Sequence, residues 1–283
     1  MLRIAVQAKG RLYEETMLMF AESSIKVDNA KRTLLVPAKN FPLEVLYLRD
    51  DDIPQAVASG IADVGVVGEN EYVEKNEKAD IIKRLDFSKC RLSLAIPKAA
   101  DYKGVEWFNG KKIATSYPHI LNKFLKKNNI TAEVHEITGS VEIAPSIGLA
   151  DCIFDIVSSG GTLVSNNLKE VEVVMKSEAL MIANKNLSKE KREILDELLF
   201  RFDSYKNAEG KKYIVLNIEN DKIDAVCKLL PGMKAPTITP LVEKGWSSLQ
   251  SVIEEKTFWD IINQLKALGA QGILVVPIEK MIL

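Results

Sequence analysis

The sequence predicts an α/β protein of two lobes followed by a smaller C-terminal module, and three observations support this. Short apolar segments alternate with amphipathic ones along most of the chain, which is the pattern of a mostly parallel sheet covered by helices. Two apolar segments at residues 172–175 and 180–182 could carry the chain from the second lobe back to the first. The segments after residue 210 fit the β-α-β-β-α-β order of a ferredoxin-like module.

In the first lobe, residues 1–90, short apolar runs predict the strands. These predicted strands are residues 2–6, 33–36, 44–48 and 64–67. Amphipathic spacing predicts a helix from Leu12 to Ser23. A second helix is predicted from Asp52 to Gly60, because acidic residues followed by a proline in the first turn favour a helix start.

The second lobe, residues 91–178, repeats this alternation. Its predicted strands are residues 91–97, 112–115, 134–136 and 152–157. Helices are predicted at residues 119–128 and at residues 140–149, the latter interrupted by Pro145. A helix at residues 188–201 follows, and residues from about 179 to 203 are expected to complete the first lobe. Two lobes joined by crossing strands leave a central cleft, where small ligands usually bind.

The polar segment at residues 204–210 is predicted to be a linker, and residues 211–283 to be a separate module. Strands are predicted in this module at residues 213–218, 246–253 and 273–277. The predicted helices are residues 222–230 and 258–268.

The composition argues against several classes of function. Lys and Arg number 38 against 39 Asp and Glu, so the net charge of −1 provides no basic field for nucleic acid. The 2 histidines and 3 widely spaced cysteines support neither a disulfide framework nor a zinc site. No apolar run reaches the ~18 residues of a membrane span, and the N-terminus turns polar too early for a signal peptide. A reduced, cytoplasmic protein is expected.

The strand at residues 152–157 leads into a segment of hydroxyls and glycines, which we call the 158–162 loop. Its residues are Ser158, Ser159, Gly160, Gly161 and Thr162. Glycines let backbone N–H groups approach an anion, and hydroxyls add further donors. An ordinary strand–turn–helix connection is the alternative for the loop taken alone.

Two carboxylates come shortly before this loop, Asp151 and Asp155. Carboxylates at such a place suit ribose hydroxyls or a divalent metal bound to phosphate. Their presence favours phosphoribosyl binding over the plain connection.

Charged and polar residues also follow the strands of the first lobe. Lys9, Gly10 and Arg11 come after the first strand, where two cations can grip phosphates, although a solvated basic turn is the alternative. Arg49 precedes an acidic turn that caps the next helix. Glu69 and Asn70, and in the second lobe Thr115 and Ser116, also stand at strand ends; for Thr115 and Ser116 helix capping is the alternative.

Taken in order, these motifs resemble the ATP phosphoribosyltransferase family, the enzymes of the first step of histidine biosynthesis. The stretches that carry the resemblance are residues 9–12, 60–70, 90–94, 139–163, 230–237 and 265–275, and together they span essentially the whole chain. The last two resemble the regulatory domain of the family's long form. The resemblance implies two lobes of the periplasmic-binding-protein type with a central cleft, followed by an ACT-like regulatory domain.

The resemblance also implies an activity, the transfer of a phosphoribosyl group from phosphoribosyl pyrophosphate to N1 of the adenine of ATP, with release of pyrophosphate. Asp155, Arg11 and Arg49 are the catalytic candidates. Asp155 and the 158–162 loop would hold the ribose and its 5′-phosphate, with Asp151 as a further candidate. Mg²⁺ would be held mainly by substrate phosphates, with Asp151 or Asp155 as candidate protein ligands. The remaining substrate-binding candidates are Lys9, Gly10, Glu69, Asn70, Thr115, Ser116 and Glu142.

The resemblance further implies feedback inhibition by histidine and a homo-oligomer, a dimer and a hexamer. Asn217, Met233, Thr237 and Gly272 align with the family's histidine site. Family members often carry Asp in place of Asn217 and Ala in place of Gly272, and an acidic group there would meet the ammonium of the ligand. A non-catalytic two-lobed protein that binds or senses a small molecule is the alternative function, because the lobes alone would allow it.

Overall fold

The computed structural model describes residues 1–28 and 33–283, and the chain divides into two compact units, residues 1–195 and 196–283. The first unit contains two sheets and the second contains one. The predicted α/β class, with two lobes and a ferredoxin-like C-terminal domain, is confirmed. Among the described residues, no helix combines the length and apolarity that crossing a membrane requires.

The first lobe is built on a sheet of six strands in the order β2-β3-β1-β4-β11-β5. The strands are β1 (Leu2–Gln7), β2 (Leu35–Pro37), β3 (Leu43–Leu48), β4 (Val64–Gly68), β5 (Asp80–Arg84) and β11 (Ala179–Ala183). β1 runs parallel to both β3 and β4, so these three strands end at the same edge of the sheet. Both faces of β1 are covered, which explains its nearly continuous apolar sequence.

Helices α1 (Arg11–Glu22), α2 (Ile53–Ala58) and α3 (Glu69–Lys75) belong to this lobe. A short 3₁₀ turn at Asp50–Asp52 leads into α2. The sequence did not predict α3 or β5, because the seven residues of α3 are mostly polar and show no apolar period, and β5 is a partly exposed edge strand.

The second lobe has a sheet of five strands in the order β10-β6-β9-β7-β8. The strands are β6 (Cys90–Pro97), β7 (Lys112–Thr115), β8 (Glu133–Glu136), β9 (Cys152–Val157) and β10 (Leu168–Ser177). Strands β7, β8 and β9 are parallel, whereas β6 is antiparallel to β9 and β10. The start of β6 therefore lies beside the end of β9.

Helices α4 (Pro118–Lys127) and α5 (Gly161–Ser165) follow β7 and β9. The helix predicted at residues 140–149 is wrong beyond its first turn. A 3₁₀ turn at Val141–Ile143 is followed by turns only, since Pro145 lacks an N–H donor and Gly148 has a φ of +75°.

The chain crosses between the lobes twice, and the two crossings lie side by side. At one end Ser177 pairs with Cys90, and at the other the amide of Leu85 donates to the carbonyl of Ala179 at 3.0 Å. Two adjacent crossings of this kind are a typical hinge between lobes.

The second unit contains the end of α6 (Lys189–Ala208) and a four-stranded antiparallel sheet in the order β13-β14-β12-β15. Its elements are β12 (Lys211–Glu219), α7 (Ile223–Leu229), β13 (Thr237–Pro240), β14 (Trp246–Glu254), α8 (Glu255–Ala267) and β15 (Gln271–Pro277). Alternate β12 residues Ile214, Leu216 and Ile218 are fully buried in one core with residues of α7 and α8. Strand β13 was not located from the sequence, because it is short and wholly exposed.

The linker predicted at residues 204–210 is wrong for most of its length. Helix α6 continues to Ala208, with Phe202 and Ala208 buried, and the carbonyl of Ser204 accepts a hydrogen bond from the amide of Met281 at 2.8 Å. The polar residues of this segment, which suggested a linker, lie on a helix that is anchored by its few apolar residues.

Candidate active site at the carboxyl ends of the strands

The 158–162 loop leaves the end of β9 at an edge of the second lobe's sheet. Gly160 has a φ of +83°, a left-handed conformation that favours glycine, and it immediately precedes α5. Gly161 has an ordinary φ, and a Cβ built on it would come no closer than 3.7 Å to the Oγ of Ser159. Gly160 is therefore the glycine that the loop's backbone requires.

Two arginines converge on Ser158, one from each lobe. Arg11, the first residue of α1, donates from Nη1 to the Oγ of Ser158 at 2.9 Å and from Nη2 to the carbonyl of Lys89 at 3.0 Å. Arg91, at the start of β6, donates from Nη1 to the carbonyl of Ser158 at 3.0 Å. The predicted site residue Arg11 is thus brought to the predicted loop across 147 positions of sequence.

Asp155 lies half-buried in β9 just before the loop. The backbone amide of Ile156 donates to its Oδ1 at 2.7 Å. Burial raises the pKa of Asp155 to about 6, and the nearby carboxylate of Glu142 raises it further while the Ile156 amide lowers it. The carboxylate of Glu142 is therefore near enough to Asp155 to raise its pKa.

Asp151 lies at the other end of the same strand. Its Oδ2 accepts a hydrogen bond from the backbone amide of Lys112 at 2.8 Å, where β7 begins. The 6 residues of β9 separate Asp151 from the loop by roughly 20 Å, given a rise of about 3.3 Å per residue. Asp151 therefore lies away from the 158–162 loop, and its role in binding ribose or metal stays a prediction.

The hydroxyls of Thr115 and Ser116 are already engaged inside the second lobe. Thr115 is fully buried, and its Oγ1 accepts a hydrogen bond from the amide of Tyr117 at 2.8 Å. Ser116 donates from Oγ to the carbonyl of Ile137 at 2.7 Å. Both hydroxyls stabilise the segment before α4, but neither caps the helix, whose N-cap residue is Tyr117.

The N-terminus of α4 receives its strongest partner from the first lobe. Glu74 in α3 accepts hydrogen bonds from the backbone amides of His119 at 2.7 Å and Ile120 at 3.0 Å. A carboxylate at this position satisfies donors that the helix cannot pair itself. The contact joins α3 of the first lobe to α4 of the second.

Lys9 and Arg49 follow the parallel strands β1 and β3, so they lie at one edge of the first lobe's sheet. They line a cavity of about 370 Å³ together with Gln7 and Asp50. The Arg49 side chain is 70% exposed and pairs only locally, with Asp51 at 3.1 Å, among the described residues. Gly10 stands between Lys9 and Arg11 and accepts the first helical hydrogen bond of α1 through its carbonyl.

Glu69 and Asn70 open α3 and have different surroundings. Glu69 accepts from Nη2 and Nη1 of Arg84 at 2.6 and 2.9 Å, and Arg84 also contacts Glu178 at 2.9 Å. Asn70 is only 4% exposed, and its amide N–H and its Oδ1 both bind the Oγ of Ser177, at 3.0 and 2.9 Å. Asn70 is thus buried at the crossing between the lobes, and its contact with substrate stays a prediction.

Next to Asn70, Glu71 and Tyr117 form a buried pair between the lobes. The Tyr117 hydroxyl donates to the Oε1 of Glu71 at 2.8 Å, and Asn70 Nδ2 donates to the same hydroxyl at 3.2 Å. Burial raises the pKa of Glu71 to about 7, and burial together with the Glu71 carboxylate raises the pKa of Tyr117. Neither residue was predicted, because partners 46 positions apart leave no local signal.

A cavity of about 680 Å³ joins the loop to the two crossings. Its lining includes Ser158 and Arg91 of the second lobe, Glu69 and Arg84 of the first, and Lys176 and Glu178 where the chain crosses. Arg84, Arg91, Lys176 and Glu178 were missed from the sequence. Only Arg91 among these four could have been found from the sequence. It stands at the start of β6, and pairing β6 antiparallel to β9 brings that start beside the 158–162 loop.

Comparison with known proteins identifies the family. The family model described as "ATP phosphoribosyltransferase" matches residues 49–204, and the model of its C-terminal domain matches residues 208–280. A protein of Bacteroides fragilis named ATP phosphoribosyltransferase is 69% identical over 283 residues, which is 100% of both chains. A protein of Bacteroides thetaiotaomicron with the same name is 68% identical over 282 residues, again covering 100% of both chains.

The chain belongs to the ATP phosphoribosyltransferase family. It is therefore an enzyme of the transferase class, and the resemblance found in the sequence is confirmed. A solved structure titled "ATP phosphoribosyl transferase (HisG:HisZ) complex from Thermotoga maritima" is 27% identical, with a TM-score of 0.62 over 71% of this chain and 96% of that chain. The match to the C-terminal domain identifies the long form of the family.

The four residues predicted to form a histidine site lie in the C-terminal unit. Asn217 in β12 lies beside Gly272 in β15, where a Cβ built on Gly272 would be 3.3 Å from Asn217 Nδ2. Thr237 in β13 pairs with Gln250 in β14. The side chain of Gln250 accepts a hydrogen bond from the Tyr213 hydroxyl, so it lies on the sheet face that carries Tyr213. Asn217 is on that same face, since it is four residues from Tyr213 in β12. Met233 is exposed and lines a separate cavity of about 260 Å³.

Proposed function

We propose that the chain condenses ATP with phosphoribosyl pyrophosphate at N1 of the adenine, releasing pyrophosphate, in the first step of histidine biosynthesis. The observation that carries this is the 158–162 loop, in which Gly160 is left-handed and Ser158 is held by an arginine from each lobe. Backbone amides held in this way can bind the 5′-phosphate without further reorganisation.

The residues supply alignment and charge more than proton transfer. N1 of adenine already has a lone pair, so no general base is assigned. Asp155, next to the loop, is placed to accept hydrogen bonds from ribose hydroxyls, while Lys9 and Arg49 present cations from the facing sheet edge. Holding donor and acceptor in line can account for much of the rate enhancement.

Mg²⁺ is proposed as the cofactor, held mainly by the phosphates of the substrates. Among the described residues, no group of three or more His, Cys, Asp or Glu side chains could hold a metal ion. Mg²⁺ is commonly bound through one or two carboxylates together with substrate phosphates. Asp155, with Glu142 beside it, is the candidate ligand, and bound Mg²⁺ would neutralise the pyrophosphate leaving group.

The experiment that tests the reaction is release of pyrophosphate by the purified chain with ATP, phosphoribosyl pyrophosphate and Mg²⁺. Release that requires all three components supports the proposal. Tight binding of a nucleotide or sugar phosphate by folded protein, with no pyrophosphate released, would instead favour the non-catalytic alternative.

Histidine is proposed as an inhibitor bound near Asn217 and Gly272. Asn217 lacks the charge that would pair with the ligand's ammonium, so Asn217→Asp is expected to lower the histidine concentration needed for half inhibition. The test is a histidine titration of pyrophosphate release by both proteins. An unchanged midpoint would contradict this placement.

We propose from the family resemblance that the protein is cytoplasmic and forms homo-oligomers, namely dimers and hexamers. The Thermotoga maritima relative is titled as a complex of HisG with HisZ. Analytical ultracentrifugation with and without histidine tests it, and a monomer under both conditions would contradict it.

A further inference from the structure

A chain of hydrogen bonds runs behind the 158–162 loop, from β10 through β6 to the loop itself. Glu170 in β10 binds Arg91 with both carboxylate oxygens, Oε1 to Nε and Oε2 to Nη2, each at 2.5 Å. Ser93 donates from its fully buried Oγ to the Oε1 of Glu170 at 2.6 Å. Arg91 then uses Nη1, its remaining terminal nitrogen, to bind the carbonyl of Ser158 at 3.0 Å.

The geometry of the guanidinium gives this chain a direction. Glu170 occupies one side of the planar Arg91 group in a fork arrangement, which leaves Nη1 with a single orientation. Ser93 holds the carboxylate from behind and so orients the whole pair. Three side chains on two paired strands thus act on one backbone oxygen.

That oxygen determines where a backbone donor points. In a trans peptide the C=O of one residue and the N–H of the next point in opposite directions. If Arg91 fixes the carbonyl of Ser158, the N–H of Ser159 is directed to the other side of the same peptide. A free carbonyl could rotate toward the anion and would repel it.

We propose that Glu170 is a positioning residue which, through Arg91, holds the Ser158–Ser159 peptide with its N–H directed to the 5′-phosphate of the donor. This rests on the proposed function for the identity of the anion. Neither Glu170 nor Ser93 needs to contact the substrate. Arg91 lines the 680 Å³ cavity, and its ion pair with Glu170 balances its charge there.

The pair is suited to remain ionised. The hydrogen bonds from Arg91 lower the pKa of Glu170, and those to Glu170 raise the pKa of Arg91. A neutral amide in place of the carboxylate would present an NH₂ group to Nη2 of Arg91, donor against donor, and the fork would be lost.

The test compares Glu170→Gln with Glu172→Gln. Glu172 is the matched control, since it lies two residues further along β10 and accepts a hydrogen bond from the Tyr102 hydroxyl at 2.6 Å but contacts no part of the loop. In Glu170→Gln the KM for phosphoribosyl pyrophosphate should rise about tenfold, with the KM for ATP and the melting temperature close to those of Glu172→Gln. Arg91→Lys, which keeps the charge but not the fork, should behave as Glu170→Gln does.

Titration with ribose 5-phosphate separates this inference from the proposed reaction, because it needs no turnover. Glu170→Gln should weaken ribose 5-phosphate binding about tenfold relative to Glu172→Gln. Equal affinities in the two variants would overturn the positioning role, even if wild-type protein released pyrophosphate. Equal increases in both KM values, or a loss of melting temperature that accounts for the change, would also overturn it and make the pair purely structural.

Discussion

The rims of the two lobes are built differently, although both lie where parallel strands end. In the second lobe, Ser158 is held by Arg11 and Arg91, and Arg91 is itself held by a bidentate carboxylate. In the first lobe, Lys9 is exposed, and Arg49 is 70% exposed with a partner only two residues away. One rim is preorganised and the other depends on side chains that can move.

This difference suggests a division of labour. Preorganised amides bind a group of constant shape without losing conformational entropy on binding, which suits a sugar phosphate. Exposed cations on long side chains can follow a polyphosphate as it binds and leaves. We therefore expect substitutions in the 158–162 loop and its strand to affect the donor, and substitutions of the exposed cations Lys9 and Arg49 to affect the nucleotide.

The largest effect is expected from Asp155→Ala in the preorganised rim. Losing a carboxylate that accepts from ribose hydroxyls should lower kcat/KM for phosphoribosyl pyrophosphate on the order of 100-fold. Asp151→Ala is the matched control, because Asp151 lies at the far end of the same strand. Steady-state kinetics of both variants check this, and similar losses in the two would remove Asp155 from the site.

A smaller effect is expected from Gly160→Ala. A Cβ at a φ of +83° costs about 1–2 kcal/mol, so the free loop of the variant should relax out of the left-handed conformation. Donor binding must then restore that conformation, which corresponds to a loss of roughly tenfold in donor affinity. Gly161→Ala should change it less than twofold, because its backbone is ordinary and its nearest neighbour would be 3.7 Å away. Ribose 5-phosphate titration measures both, and a larger effect at Gly161 would show that the loop binds differently.

Among the exposed cations of the first lobe, Arg49→Gln should raise the KM for ATP about fivefold and leave the KM for phosphoribosyl pyrophosphate unchanged. Arg201→Gln is a suitable control, since Arg201 also forms a local ion pair, with Glu197 at 2.6 Å. Kinetics with each substrate varied in turn provide the measurement. A rise confined to the donor's KM would reverse the assignment of substrates to lobes.

The smallest effect on catalysis is expected from Glu71→Gln, which alters the buried hydrogen bond to Tyr117 between the lobes. Burial raises the pKa of Glu71 from 4.5 to about 7, so the folded chain binds this proton more tightly than the unfolded chain does. The resulting stabilisation is full below about pH 4.5 and is lost as pH rises through 7, up to about 3 kcal/mol.

Denaturant unfolding at pH 5 and pH 8 tests the Glu71 prediction. Wild type should lose more stability than Glu71→Gln over this interval, and exposed Glu22→Gln should follow wild type. Equal losses in the free energy of unfolding of wild type and Glu71→Gln would show that the Glu71 carboxyl does not cause the pH dependence.

Much of the fold could be predicted from the sequence because its signals are local. The apolar strands β1, β4, β6 and β9 and the amphipathic helices α1 and α4 lie within a few residues of their predicted positions. The 158–162 loop was identifiable because glycines and hydroxyls after a buried strand have a direct structural meaning. The missed helix α3 and the wrong linker show where the local signal fails, since α3 is short and polar and α6 is anchored by only a few apolar residues.

The sequence by itself therefore determined which elements form, which loop can bind an anion and which charges are available near it. Only the tertiary structure decided which of those charges meet. Arg11 reaches Ser158 across 147 positions and Asn70 is buried against Ser177 across 107, whereas Asp151, four residues before Asp155, lies at the opposite end of the strand. The physical reason is that contacts between distant segments depend on strand order and register, which arise from packing the whole lobe and leave no trace in the spacing of neighbouring residues.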